Sequence, residues 1–214
     1  MNALIICASQ RQEAESAKVS QLIGRLMEHI EPKATINTLY LADFPRALHC
    51  YGYHAAEPVG NQQAITEEKK ILQDALRHCT MVIVVTPEWG GMIPPALTNL
   101  FLLSAFGSAN GMPLAHKPGF IVSISASEGG HYPISQLRGY TSKNSHLTWI
   151  PLHCIIRHVE RFLQHPWSPE DESPDSHTQS RLITGLTCLI AYESALKTIR
   201  EALLPLSEKH PFGQ

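Results

Sequence analysis

Charge of one sign is missing from this chain: 17 basic residues against 19 acidic ones leave a formal net charge of −2. That balance offers no basic stripe for nucleic acid and no polybasic patch for a membrane surface. Uninterrupted apolar runs are short, and none approaches the length of a membrane-spanning helix. The opening MNALIICASQ lacks the basic start and the small-residue cleavage pattern of a secretory leader, and reads instead as a strand. Cysteine is limited to Cys7, Cys50, Cys79, Cys154 and Cys188, an odd set without CxxC spacing. A disulfide framework is therefore not expected, and a reducing cytoplasm is. Two groups of ligand-type residues, His49-Cys50-His54 and His153-Cys154-His158, lack zinc-site spacing and a second pair nearby, so no metal is expected.

What remains is the composition of an ordinary globular core, with 43% hydrophobic and 17% charged residues in 214, which suits one domain spanning 1–214. Residues 3–8 form a continuous apolar run, the mark of a parallel strand buried on both faces. Val19, Leu22, Ile23, Leu26, Met27 and Ile30 then repeat at helical spacing, and 36–41 alternates like an edge strand. The stretch 43–61, rich in Pro, Gly and aromatic residues, reads as a long loop, and Thr66 opens a helix that buries Leu72, Ala75, Leu76 and Cys79. Residues 81–85 are the clearest strand, followed by an apolar helix from Pro94-Pro95 to about Phe106, suited to deep burial or a subunit contact. Strands at 120–125 and 152–157 flank a helix over 134–145. The polar segment 164–180 reads as a solvated excursion, before a closing helix with Leu182, Leu186, Leu189, Ile190, Leu196, Ile199 and Leu203 on one face. Strands alternating with amphipathic helices predict a doubly wound α/β domain with a parallel sheet. Ligands of such sheets bind beyond the carboxyl ends of the strands.

Three loops fall at that edge. After the first strand, Ser9, Arg11 and Ser16 combine hydroxyls, a forked cation and the start of a helix, all suited to an anion. A serine ahead of a helix is also a plain cap. Neither GxGxxG nor GxxxxGK[ST] is present, which argues against a dinucleotide fingerprint or a triphosphate loop. After the third strand, Pro87-Glu88-Trp89-Gly90-Gly91-Met92 pairs adjacent glycines with a large aromatic. Backbone without side chains can approach a planar ligand there, though a proline-bounded turn with one exposed Trp reads equally well. After the fourth strand, Ser125, Gly129 and Gly130 place a second glycine pair at the same edge. Three such loops together point to one shared ligand.

At these residues the chain resembles the NADPH-dependent FMN reductase family, whose relatives include azo, quinone and chromate reductases. The first signature, G-S-x-R-x-x-S-x-[NS], aligns on Ala8 to Ser16; Ser9, Arg11 and Ser16 match, and Ala8 and Ala14 depart. The second, P-E-Y-N-G-S-I-P, matches at Pro87, Glu88, Gly91, Ile93 and Pro94, with Trp89, Gly90 and Met92 as replacements; Leu97 and Asn99 continue the match. Ser125 and Gly129-Gly130 correspond to a third flavin loop. The resemblance covers about 1–160.

It implies a flavodoxin-like, five-stranded sheet of order 2-1-3-4-5 with helices on both faces. By the same resemblance Ser9, Arg11 and Ser16 hold the FMN phosphate, Pro87 to Met92 line the isoalloxazine, and Ser125 to Gly130 flank its other edge. The implied activity is a ping-pong transfer of a hydride from NADPH or NADH through FMN to a flavin, quinone, azo compound or metal oxyanion, with no catalytic side chain required. The alternatives are a flavodoxin-type electron carrier and a flavin-binding stress or regulatory protein. A homodimer or homotetramer is expected. Glu88 could serve as a catalytic carboxylate but is expected to be structural, ordering the turn or a subunit contact. Arg138 and Lys143 could meet an NADPH phosphate but are expected to be solvated helix charges. The missing hydroxyl at Ala14 and the acids Glu13 and Glu15 predict weakened FMN binding, and Gly90 a wider site.

Overall fold

Five parallel strands make one sheet: β1 (Asn2–Cys7), β2 (Thr35–Tyr40), β3 (Met81–Pro87), β4 (Pro118–Ile124) and β5 (Thr148–Ile156), in the order β2-β1-β3-β4-β5. The computed structural model describes residues 1–49, 62–105, 111–164 and 174–212. The central strands are apolar throughout because both faces are covered, and their side chains alternate between two cores. Leu4, Ile6, Val82, Val84 and Ile121 meet one set of helices: α3 (Gln62–His78), α4 (Pro95–Leu103) and α5 (His131–Ser145). Ala3, Ile5, Ile83, Val85, Phe120 and Val122 face the other way. There they meet α1 (Glu15–Ile30), α6 (Val159–Gln164) and α7 (Pro174–Lys209). The element order, the parallel pairing and the strand sequence agree with the sequence expectation.

Several boundaries differ from the sequence expectation. Within the expected loop 43–61 a short helix, α2 (Pro45–His49), forms; residues 50–61 lie outside the described set. Both ends of α2 are held by side chains distant in sequence. The Ala47 amide donates to Glu68 Oε2 (2.8 Å), and Asn99 Nδ2 donates to the Leu48 carbonyl (2.7 Å). Helix α3 begins at Gln62 rather than Thr66, and α4 ends at Leu103, short of the expected Phe106. Strand β5 begins at Thr148, four residues early, across an irregular pairing with Gly119 and Ile121 of β4.

The polar segment expected over 164–180 is corrected in part. Residues 165–173 lie outside the described set, but 174–180 are the first turns of α7. The residues read as solvated are start signals instead: Pro174 opens the helix, and Asp175 sits in its first turn, 3.3 Å from Arg161. Gly185 lets α7 lie against β4, since a Cβ there would meet the Phe120 ring at 2.2 Å. The apolar face does not run the whole helix. Leu182, Leu186 and Leu189 are fully buried, whereas Ile199 is 46% exposed because the helix outruns the sheet. By length and composition alone, Asp175–Lys209 could cross a membrane, its apolar window having a mean hydropathy of 1.3. Leu182, Leu186 and Leu189 of this helix are part of the sheet's core, whereas Leu206 is 55% exposed.

Candidate functional site

At the carboxyl edge of the sheet a cleft of about 340 Å³ opens between the loops after β1, β3 and β4 and the start of α6. Its size lies within the range of small-molecule sites, roughly 300–1,000 Å³. From the loop after β1 it is lined by Ser9, Arg11 and Ser16, together with Glu13, Ala14 and Glu15. Pro87, Glu88 and Trp89 enter from β3, and Ile124, Ser125 and Ala126 from β4. The five other candidates, Gly90, Gly91, Met92, Gly129 and Gly130, do not line it. The first three form the turn beyond Trp89, and the last two pack behind Glu88.

The loop after β1 is built to present donors. Ser9 is buried and its Oγ accepts the Arg11 amide at 3.1 Å, an ST-type turn that fixes the chain's exit from the strand. Ser16 is also buried, and its Oγ takes a 3.4 Å contact from the Cys7 thiol. Ala14 is the N-cap of α1 in extended conformation, and no side chain caps this helix. Amides of a first turn left without a cap carry partial positive charge outward. The Arg11 guanidinium stacks over Trp89, 5.3 Å from the ring centroid, joining the first loop to the second. Against these donors stand Glu13, Glu15 and Glu160, all on the cleft wall. Lys18 partners Glu15 at 2.8 Å on the exposed side of α1.

The turn after β3 is a two-residue hairpin. Trp89 and Met92 exchange both backbone hydrogen bonds, at 2.8 and 3.0 Å. Gly90 and Gly91 between them have φ of +58° and +80°. Positive φ at both central positions is the mirror-image turn that glycine adopts without strain. A Cβ at residue 90 would meet nothing within 4 Å, so glycine is favoured there by its backbone conformation and not by crowding.

Glu88 ties this turn to the loop after β4. Its Oε2 accepts the Gly130 amide at 2.6 Å, and its own amide donates to the Ile124 carbonyl at 3.1 Å. A Cβ on Gly129 would stand 2.8 Å from Glu88 Oε1, and one on Gly130 2.6 Å from Ile155 Cγ2, where φ is also +107°. Glycine at both positions is what lets the carboxylate reach across. Ser125 stabilises the same loop by accepting the Ser127 amide at 3.2 Å. The structural role expected for Glu88 is therefore the one its contacts display.

Other candidates lie elsewhere. Arg138 is not a free surface charge: its Nη2 donates to the carbonyls of Ile150, Pro151 and Leu152 at 2.7–3.2 Å, where β5 pairs irregularly with β4. His153, Cys154 and His158 do not converge. Burial pushes the Cys154 thiol up to about 12, and His158 Nε2 lies 2.7 Å from Glu128, holding that exposed carboxyl below its usual range. Of the other group, Cys50 and His54 lie outside the described residues.

Two features escaped the sequence reading. Glu160 reaches the cleft from α6, immediately after β5, a position that the strand-end rule could have flagged. Gln136 of α5 touches the β3 turn from a helix whose sequence carries no signature.

Comparison with known proteins places this geometry. The family model for NADPH-dependent FMN reductase matches residues 1–158. Among solved structures, an oxidoreductase from Corynebacterium diphtheriae superposes with a TM-score of 0.65 at 10% identity, covering 91% of this chain and 97% of that one. A flavoenzyme NAD(P)H:acceptor oxidoreductase from Paracoccus denitrificans gives 0.57 at 14% identity, covering 91% and 97%. An azoreductase from Bacillus anthracis gives 0.52 at 12% identity, covering 92% and 99%. At these identities the structural matches speak for the flavodoxin-like fold. No curated protein sequence matches the chain.

Proposed function

The chain belongs to the NADPH-dependent FMN reductase family, and from that premise we propose that it takes a hydride from NAD(P)H and passes it through bound FMN to a small acceptor in a ping-pong cycle. The observation that carries this reading is the convergence of three strand-end loops on one cleft whose wall includes an uncapped helix N-terminus. When bound, FMN supplies the two-electron chemistry, and the protein supplies placement and electrostatics.

The donor set fits the group. Ser9, Arg11, Ser16 and the first amides of α1 are suited to the phosphate, because a dianion is stabilised by a helix N-terminus and a forked cation. Pro87, Glu88 and Trp89 on one side and Ser125 and Ala126 on the other line the part of the cleft that would hold the ring, with the Gly90-Gly91 turn and the Gly129-Gly130 pair supporting them from behind. No side chain acts as nucleophile, and Glu88 spends its carboxylate on the Gly130 amide. Glu13, Glu15 and Glu160 oppose a phosphate electrostatically, which supports FMN binding weaker than the family pattern allows. The acceptors that suit an open cleft are flat or compact oxidants: flavins, quinones, azo compounds and metal oxyanions.

The remaining attributes follow from smaller observations. Helix α7, beyond the family match, packs on β4 and β5, which supports reading 1–214 as one domain. Met92, Tyr132 and Tyr140 are exposed apolar groups on the turn and on α5, suited to contact with a second copy in a dimer or tetramer. Cys7, Cys79, Cys154 and Cys188 are free thiols, which suits a reducing cytoplasm.

One experiment decides the activity. Purified protein loaded with FMN is mixed with NADPH or NADH and a quinone, and nicotinamide absorbance is followed. Rapid oxidation that depends on both FMN and quinone is expected. A yellow protein that ignores both nicotinamides is a carrier or sensor, and a protein that takes up no FMN overturns the reading altogether.

A further inference from the structure

The turn after β3 has only one backbone bridge of its own, between Trp89 and Met92, and two glycines at its tip. Glycine pairs reach unusual conformations at the cost of conformational entropy, so such a turn holds one shape only if something outside it selects that shape. Gln136, half-buried in the second turn of α5, does so. Its Oε1 accepts the Ile93 amide at 3.0 Å, and its Nε2 donates to the Gly91 carbonyl at 3.1 Å. A glutamine on a solvated helix face needs no protein partner; this one engages both ends of its amide. The reverse amide orientation would set donor against donor and acceptor against acceptor, so the orientation is determined by the backbone it grips.

Helix α5 is therefore joined to the turn twice. Its N-cap residue, Gly130, donates to Glu88 at one side, and Gln136 spans Gly91 to Ile93 at the other. The clamped segment is bridged directly to Trp89, which lines the cleft proposed for the flavin.

We propose that Gln136 is a positioning residue for the flavin: by holding the Gly90-Gly91 turn it fixes Trp89, which lines the cleft, without itself reaching the cleft. The proposal rests on the FMN reading above. An aspartate, serine or methionine cannot replace it, because the clamp needs a donor and an acceptor at the reach of a glutamine. An ionised glutamate supplies only the acceptor and sets its charge against the Gly91 carbonyl. A protonated glutamic acid supplies both.

That difference makes the test. Gln136→Met and Gln136→Glu are compared with the unaltered protein by melting temperature, by exchange of the Ile93 amide in apoprotein, and by FMN titration at pH 5 and pH 8. In Gln136→Met, Ile93 exchange accelerates at least about tenfold and FMN binds about tenfold more weakly, the loss of one to two net hydrogen bonds. In Gln136→Glu the deficit in FMN affinity, taken as a ratio to the unaltered protein at the same pH, is present at pH 8 and shrinks toward pH 5. A side chain that merely packs would show no such pH-dependent ratio. Unchanged Ile93 exchange, or unchanged FMN affinity in Gln136→Met, overturns the proposal. If the unaltered protein itself takes up no FMN, the function reading fails, while Ile93 exchange still reports whether the clamp exists.

Discussion

At the amino edge of the sheet, α3 ends with the carbonyls of its last turn engaged. The Cys79 amide donates to Ala75, Lys117 Nζ to Leu76 and Arg77 at 2.7 and 2.9 Å, and Asn2 Nδ2 to His78 at 3.2 Å. Lys117 is 1% exposed, so this is a buried ammonium serving as a helix cap. At the carboxyl edge, α1 begins with no side chain on its amides, and a stacked arginine stands beside them. The chain thus satisfies one helix end from within and leaves another facing a cleft. Capping groups cost little to encode, since a single hydroxyl at Ala14 would suffice. An open helix end beside Arg11, in a cleft rimmed by three strand-end loops, marks where the fold expects a partner from outside.

The largest effect is expected from removing the internal cap. Lys117→Ala deletes the donor of two buried carbonyls and leaves a cavity where the stem lay, and a loss of about 3 kcal/mol is expected. Urea unfolding measures it; a loss under about 1 kcal/mol would mean that α3 does not depend on Lys117.

A smaller effect comes from the charge itself. Burial lowers the Lys117 pKa from 10.5 to about 8, so above pH 8 the unfolded chain binds a proton that the folded one releases. Stability from this group therefore rises with pH, by about 1 kcal/mol between pH 8 and 9. Above pH 9 the gain is outweighed, because burial raises both the Cys79 and the Cys154 thiols and the unfolded chain then loses protons that the folded one keeps. Measured at pH 7, 8, 9 and 10, the unfolding free energy of the unaltered protein relative to that of Lys117→Met should climb between pH 8 and 9, whereas both proteins should lose stability above pH 9.

The two edges also differ in how legible they were. The central strands and the loops that rim the cleft could be read because they rest on local pattern: apolar runs, helical spacing, and loops that fall after strands; the sheet order came with the family resemblance. The Glu88 contact with Gly130 was half visible, as a turn-ordering carboxylate without its partner. What stayed hidden rests on contacts between residues far apart in sequence. Helix α2 exists because Glu68 and Asn99 cap it, and Lys117 and Gln136 look like ordinary polar residues until the fold brings them to α3 and to the glycine turn. The first turns of α7 failed for a different reason. Proline and acids signal both a solvated loop and a helix start, and only the Arg161 partner of Asp175 distinguishes them.

Closing the open helix end sharpens the comparison from the other side. Ala14 has φ −122° and ψ 142°, the extended geometry of an N-cap, so Ala14→Ser supplies a hydroxyl without backbone strain. Apoprotein stability should rise by somewhat under about 1 kcal/mol in thermal unfolding. No gain would mean that water already satisfies these amides as well as a cap does.

The smallest expected effect bears on the weakened FMN binding proposed for the open end. Glu160 lines the cleft from α6, facing the donors around Arg11, and a carboxylate there raises the cost of bringing in a dianion. Screening by solvent limits such interactions at a cleft wall to a fraction of a kcal/mol. Glu160→Gln should therefore tighten FMN by about two- to threefold at low salt, with the advantage shrinking as salt is added. Titration of apoprotein at 20 mM and 300 mM salt reads both quantities. If riboflavin, which lacks the phosphate, tightens equally, Glu160 acts on the ring and the phosphate is not held at α1. If only FMN responds, the helix end that the chain leaves uncapped is the one that receives the charge.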